Sequence, residues 1–240
     1  MCTVSWEWGQ KTKLRVFFNR DERRARAVAA PPQFFEENGA RYLCPVDTER
    51  GGTWIAGNAK GLVVAILNDY SIDLSVLKGM ELESRGFLVR EAAQLNSAAE
   101  VGDYLEKQVA ENNYPPFTMI CWDANVTEAK CWHWNLARFL EVELKDAIAT
   151  SSSWETQRVE QARKDLYLKR VVEEGGSLES YHRNVIPGDA ESSVCMSREV
   201  TQTVSLTEVK VEAAELSMRY MPRSSDGAFL SESLEYLNLD

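Results

Sequence analysis

The chain has 240 residues, 44% of them hydrophobic and 27% charged, and carries a formal net charge of −10. This length and apolar fraction support one domain, residues 1–240, with a sizeable core, and the charged fraction excludes a disordered chain. The acidic balance argues against nucleic acid or an anionic membrane surface as a partner, and no run reaches the ~18 apolar residues of a transmembrane segment.

The start has no basic segment followed by an apolar stretch, so no signal peptide is expected and the expected location is cytoplasmic. The five cysteines, Cys2, Cys44, Cys121, Cys131 and Cys195, are odd in number and scattered, which fits a reducing compartment. Without a CxxC pair, and with His133 and His182 as the only histidines, neither a metal site nor a cofactor is expected.

In chain order, Thr3 to Trp8 alternates with strand period and puts Cys2, Val4, Trp6 and Trp8 on one face. A turn at Gly9-Gln10-Lys11-Thr12 leads to a second strand, Lys13 to Asn19, and so to a hairpin. If Trp8 pairs with Lys13, Cys2 lies opposite Asn19 with Asp21 as its diagonal neighbour; a slip of one residue puts Arg20 opposite Cys2. Asn19-Arg20-Asp21-Glu22 reads as the charged end of this strand, and Arg23, Arg24 and Arg26 make the neighbourhood basic.

Gly51-Gly52 reads as a backbone device, permitting positive φ or close approach. A second hairpin runs from Thr53-Trp54-Ile55-Ala56 through Gly57 to Gly61 into Leu62 to Leu67. Helices are predicted from about Arg85 to Leu95 and from Ser97, where Ser97 and Glu100 have capping-box spacing. A third hairpin joins Phe117–Trp122 to Lys130–Trp134, with Cys121 and Cys131 placed to face each other across it. A helix from about Trp154 to Val172 would start from a capping box at Ser152 and Glu155, and a last strand pair covers about Val200 to Val211 and Ala214 to Tyr220. His133 reads as a structural residue of an aromatic strand and His182 as a loop residue. Clustered hairpins separated by helices indicate an α+β fold with mainly antiparallel sheets.

Cys2 is the sharpest candidate for chemistry. Its small side chain permits removal of Met1, which would leave a thiol titrating near ~8.5 and an α-amine near ~8 on one residue. Such a residue contains both nucleophile and base. An Asp beside it can hold the amine, and an Arg can lower a thiol pKa or receive a substrate carboxylate. Trp6, Trp8 and Trp54 are candidates for lining an apolar pocket.

Met1-Cys2-Thr3, Asn19-Arg20-Asp21-Glu22, Gly51-Gly52-Thr53-Trp54 and Asn68 together resemble the NRDE family, also called the transport and Golgi organisation protein two family. The resemblance runs along most of the chain and is loosest in the middle and the C-terminal third. It implies the N-terminal nucleophile hydrolase superfamily and its four-layer αββα sandwich. It also implies Cys2, Asp21 and Asn68 as catalytic residues, with Arg20, Asn19, Arg198 and Trp54 as substrate-binding residues. The superfamily includes cholylglycine hydrolases and penicillin V acylases, so the implied reaction is cleavage of an amide or thioester in a small acylated or hydrophobic ligand. Family links to lipid or haem handling leave a non-enzymatic carrier or chaperone as the alternative. The chain departs from pattern where it has Leu67-Asn68-Asp69-Tyr70, and where Ser151-Ser152 stands in place of a Ser-Asn pair. A missing second asparagine would weaken an oxyanion hole.

Overall fold

Strand-period and helix-period segments sort the chain into two sheets and two helical layers. The computed structural model describes residues 2–10 and 13–240. The first sheet contains β1 (Cys2–Trp8), β2 (Leu14–Arg23), β10 (Ile148–Ser151), β11 (Thr201–Val211), β12 (Glu215–Pro222) and β13 (Ser233–Asn238), in the order β10-β1-β2-β11-β12-β13. The second contains β3 (Ala30–Glu37), β4 (Ala40–Val46), β5 (Ile55–Asn58), β6 (Leu62–Asn68), β7 (Phe117–Asp123), β8 (Glu128–Trp134) and β9 (Phe139–Glu141), in sequence order. Every pairing within the two sheets is antiparallel.

The inner faces interdigitate through Val4, Trp6, Val16, Phe18 and Val209 of the first sheet and Ile55, Val63, Leu67, Ile120 and Trp122 of the second. Helices α1 (Arg85–Ala92) and α2 (Ala98–Glu111) cover the outer face of the second sheet with Leu88, Val89, Val101 and Leu105. Helices α3 (Thr156–Tyr167) and α4 (Leu178–His182) cover the first with Tyr167, Leu178 and Tyr181. The result is the expected αββα sandwich. Among the described residues no helix is long and apolar enough to cross a membrane.

Several local expectations need correction. Trp8 pairs with Leu14, so Cys2 lies opposite Arg20, the alternative register. Lys11 and Thr12 of the connecting turn lie outside the described residues. Strand β2 does not stop at Asn19; it continues to Arg23 because β11 pairs along its other edge, as in Glu22 with Gln202. Asn19, Arg20 and Asp21 are therefore buried sheet residues and not a solvated turn. Cys121 pairs with Lys130 and Cys131 with Ile120, so the two thiols lie on opposite faces of the sheet. Helix α2 does start at Ser97, whose hydroxyl accepts the Glu100 N–H, while the Glu100 carboxylate turns to the Asn96 N–H. Ser152 does not cap α3: its hydroxyl is tied to the Trp154 backbone, and Glu155 precedes the helix with φ 42°. His182 is the last residue of α4 and fully buried, not a loop residue.

Candidate active site

Period-two alternation splits the buried residues of β1 and β2 between two environments. Cys2 and Arg20 point into the space between the sheets; Thr3, Asn19 and Asp21 point towards the helices. On the inner side, Cys2, Arg20, Trp54, Asn68, Tyr70 and Arg85 line one cleft of about 720 Å³. Asp21 reaches it through its main chain, and its backbone N–H approaches the Cys2 sulfur. Burial pushes the Cys2 thiol pKa up, opposed by that N–H and by the Arg20 charge.

Arg20 is fixed on two sides. Its Nη2 donates to Asp47 Oδ2 at 2.7 Å, and its guanidinium lies 4.3 Å from the Trp54 ring centroid. Asp47 also takes Arg26 at 2.8 Å, and its Oδ1 accepts the N–H groups of Glu49 and Arg50 at 3.0 and 3.1 Å. Arg20 therefore arrives with its charge balanced, which suits positioning better than substrate capture. Asn68, at the end of β6, donates one Nδ2–H to the Tyr70 hydroxyl at 2.8 Å. An amide NH₂ has a second donor, so one remains for a ligand.

The opposite side of the same strands forms a dry clamp. Arg163 of α3 is completely buried and reaches Asp21 Oδ2 at 3.3 Å, Thr3 Oγ1 at 2.9 Å and Thr150 Oγ1 at 3.2 Å. Thr203 donates to the other Asp21 oxygen at 2.7 Å, where the register of β11 shifts between Thr203 and Ser205. This bulge lets β11 place a side chain on Asp21 and then rejoin the ladder opposite Arg20. One arginine thus ties together β1, β2 and β10, the strands that carry Cys2, Arg20 and Ser151.

Ser5, His182 and Asn19 form a chain that resembles a catalytic triad. Ser5 Oγ lies 2.8 Å from His182 Nε2, and His182 Nδ1 lies 3.1 Å from Asn19 Oδ1. Asn19 Nδ2 donates to the carbonyls of His182 and Val194, so its Oδ1 is left as the acceptor for Nδ1–H. All three residues have zero exposure, and burial, with Arg163 nearby, lowers the His182 pKa to about 3. A neutral imidazole sealed from solvent has a structural role, and it joins α4 to the first sheet.

The expected site residues therefore separate. Cys2, Arg20, Asp21, Trp54 and Asn68 meet at the cleft. Asn19 is committed to His182 and Val194, and Arg198 to the Glu191 carbonyl, the Ser152 hydroxyl and the Trp154 ring. Neither lines the cleft. Ser151 pairs directly with Cys2, and its buried hydroxyl has no hydrogen-bond partner among the described residues. Of the two serines it is the one on the Cys2 face. Trp6 and Trp8 line a different groove, at the other end of the sandwich. Asp47, Arg85 and Arg163 were not anticipated. Each depends on a partner distant in the chain, and no local pattern marks them.

The model of the Transport and Golgi organisation 2 (TANGO2) family matches residues 1–218, and the chain belongs to that family. No curated protein matches it. Among solved structures it is similar to the Caenorhabditis elegans ortholog of N-acylethanolamine-hydrolyzing acid amidase, with TM-score 0.56 and 13% identity over 87% of this chain and 92% of that one. Two variants of the conjugated bile acid hydrolase from Clostridium perfringens give TM-scores of 0.53 and 0.51 at 11% and 10% identity, each covering 99% of this chain and 92% of theirs. The shared fold is that of N-terminal nucleophile hydrolases.

Proposed function

Taking this family membership and this fold as premise, we propose that the protein hydrolyses an amide or thioester bond in a small acylated substrate, with Cys2 as nucleophile. The observation that carries the reading is the position of the Cys2 sulfur, in a cleft with the Arg20 charge opposite and Asn68 on the facing sheet. With Met1 removed, the α-amine of Cys2 accepts the thiol proton as sulfur attacks the acyl carbonyl. The carbonyl π electrons move to oxygen, and the free Asn68 N–H and the Ser151 hydroxyl donate to that oxyanion. Collapse expels the amine or thiol, which takes the proton from the α-ammonium. Water then cleaves the Cys2 thioester, with the α-amine as base, releasing a carboxylic acid. Asp21, whose carboxylate is held by Thr203 and Arg163 on the helix side of β2, presents its backbone N–H to the Cys2 sulfur.

The two kinds of fold neighbour, an amidase and a bile acid hydrolase, agree with acyl cleavage without specifying a substrate. A second reading, a carrier for an acyl lipid on the same fold, is favoured by the raised Cys2 pKa, which keeps the thiol protonated near neutral pH. The test measures turnover and binding on one preparation of parent and Cys2→Ala, with chromogenic N-acyl and thioester substrates. Hydrolysis predicts a fall in turnover by orders of magnitude with binding retained. Equal turnover in the two proteins would exclude Cys2 chemistry and leave the carrier.

A further inference from the structure

Three arginines that line the cleft, Arg23, Arg50 and Arg85, have no carboxylate of the described residues within 4.0 Å of the guanidinium, and of these only Arg85 is not exposed. Arg85 opens α1, is half-buried and lines the cleft together with Cys2, Asn68 and Tyr70. Its Nη1 donates to the Pro116 carbonyl at 2.6 Å, which fixes the plane of the guanidinium. Among the described residues no carboxylate lies within 4.0 Å of it, and its Nε and Nη2 make no hydrogen bond. Arg20 and Arg26, by contrast, share Asp47.

The position of Arg85 is built into the backbone. Gly86 packs against Gly52 so closely that a Cβ on Gly52 would lie 2.8 Å from the Gly86 Cα, and the Thr53 N–H donates to the Gly86 carbonyl at 3.1 Å. The Gly-Gly-Thr-Trp segment thus serves as the seat for the first turn of α1. The cleft lining includes five arginines against the carboxylates of Glu22, Asp47 and Glu83, since the Asp21 carboxylate faces Arg163 on the other side of the strand. The lining therefore has a positive surplus within a chain of net charge −10. Burial lowers the Arg85 pKa, and the groups that counter this include Tyr70 and Cys2, which puts the guanidinium within electrostatic reach of the nucleophile.

A planar guanidinium with an open edge matches a carboxylate in bidentate fashion, and the positive surplus of the lining favours an anion. We infer that Arg85 anchors a carboxylate on the ligand, so that the cleft selects N-acyl amino acids over N-acyl amines. This inference names the substrate class for the hydrolase reading and rests on that reading only for the word substrate, since anchoring concerns binding.

The experiment uses the full chain carrying Cys2→Ala, so that turnover plays no part. Isothermal titration compares N-decanoylglycine, neutral N-decanoylethanolamine and decyl phosphate at neutral pH and low salt. The expected result is that N-decanoylglycine binds at least ~10-fold more tightly than the neutral amide. Adding Arg85→Gln should bring that ratio towards unity, and Arg85→Lys should restore part of it. Binding of the neutral amide by the Arg85→Gln protein reports that the cleft is intact, and a ratio that falls with added salt in the Arg85-containing protein tests the charge without any substitution there. Equal affinities for the two amides, no binding of either at about 1 mM, or an unchanged ratio in Arg85→Gln would overturn the inference. Clear preference for decyl phosphate would overturn the carboxylate assignment in favour of a phosphate. Absence of turnover in the parent protein would remove the hydrolase reading and leave this result standing.

Discussion

Cys2 and Cys131 differ little in exposure, at 7% and 2%, yet their surroundings differ entirely. Cys2 lines a cleft beside Arg20, whereas Cys44 and Cys131 lie in the core with pKa values pushed up to about 12 by burial. Limiting iodoacetamide near neutral pH, followed by peptide mapping, is therefore expected to label Cys2 first; earlier labelling of Cys44 or Cys195 would contradict the cleft assignment. Asp21 and Arg163 have no exposed side-chain surface, so removing one partner strands the other's charge. Asp21→Asn or Arg163→Met should each cost about 3–5 kcal/mol in denaturant titrations, and the double variant should cost less than the sum. Cys2, Arg20 and Trp54 were legible as cleft residues because each stands in a short motif, and Asn68 through the family resemblance. Arg163 was illegible because its partner Asp21 lies 142 residues away and a helical arginine ordinarily faces solvent. Arg85 was illegible for a related reason: its meaning lies in having no carboxylate at ion-pair distance among the described residues, and sequence does not show that distance.

At the scale of elements, alternation revealed strands but not their lengths. Strand β2 looked finished at Asn19 because charged residues follow, but pairing with β11 and cover from α3 allow a strand to carry Arg20 and Asp21 indoors. Strands β3, β4, β9, β10 and β13 escaped the reading; β10 has four residues, too few to establish a period, and matters because it sets Ser151 beside Cys2. The Gly52–Gly86 contact was legible as a need for close approach, though not as the seat of a helix. Gly52→Ala must push backbone against backbone, so it is expected to destabilise the fold by about 1–3 kcal/mol. It should also weaken carboxylate binding by displacing the start of α1. A binding ratio unchanged by Gly52→Ala would show that the first turn of α1 is not set by that contact.

For the whole molecule, the αββα order was legible through family resemblance, while composition and pattern alone stopped at α+β with antiparallel sheets. The layers meet through buried polar links, and these make stability depend on pH. The folded-state pKa of His182 falls from 6.5 to about 3. Between those values the unfolded chain binds the proton and the folded chain does not, so its contribution is complete above pH 6.5 and is lost as pH falls towards 3, by at most about 1.4 kcal/mol per pH unit. Urea titrations from pH 7 downwards should show this slope, and His182→Asn should flatten it, at the expense of some stability at neutral pH. An identical slope in the two proteins would place the acid sensitivity elsewhere.

The location of β1 between β2 and β10 has a further consequence, in time. Cys2 can pair with Arg20 soon after both are made, but Thr3 meets Thr150 only across 147 residues. At about 5–20 residues per second, synthesis from Arg20 to Thr150 separates those events by roughly 6–26 s. Throughout that interval the second edge of β1, Cys2 included, is not yet paired with β10. The removal of Met1 proposed above would then precede sheet closure, with the slow, long-range pairing coming last. A ribosome-bound fragment ending before β10 should yield to methionine aminopeptidase faster than the refolded full chain. Equal rates would mean that closure of the sheet places no time limit on maturation.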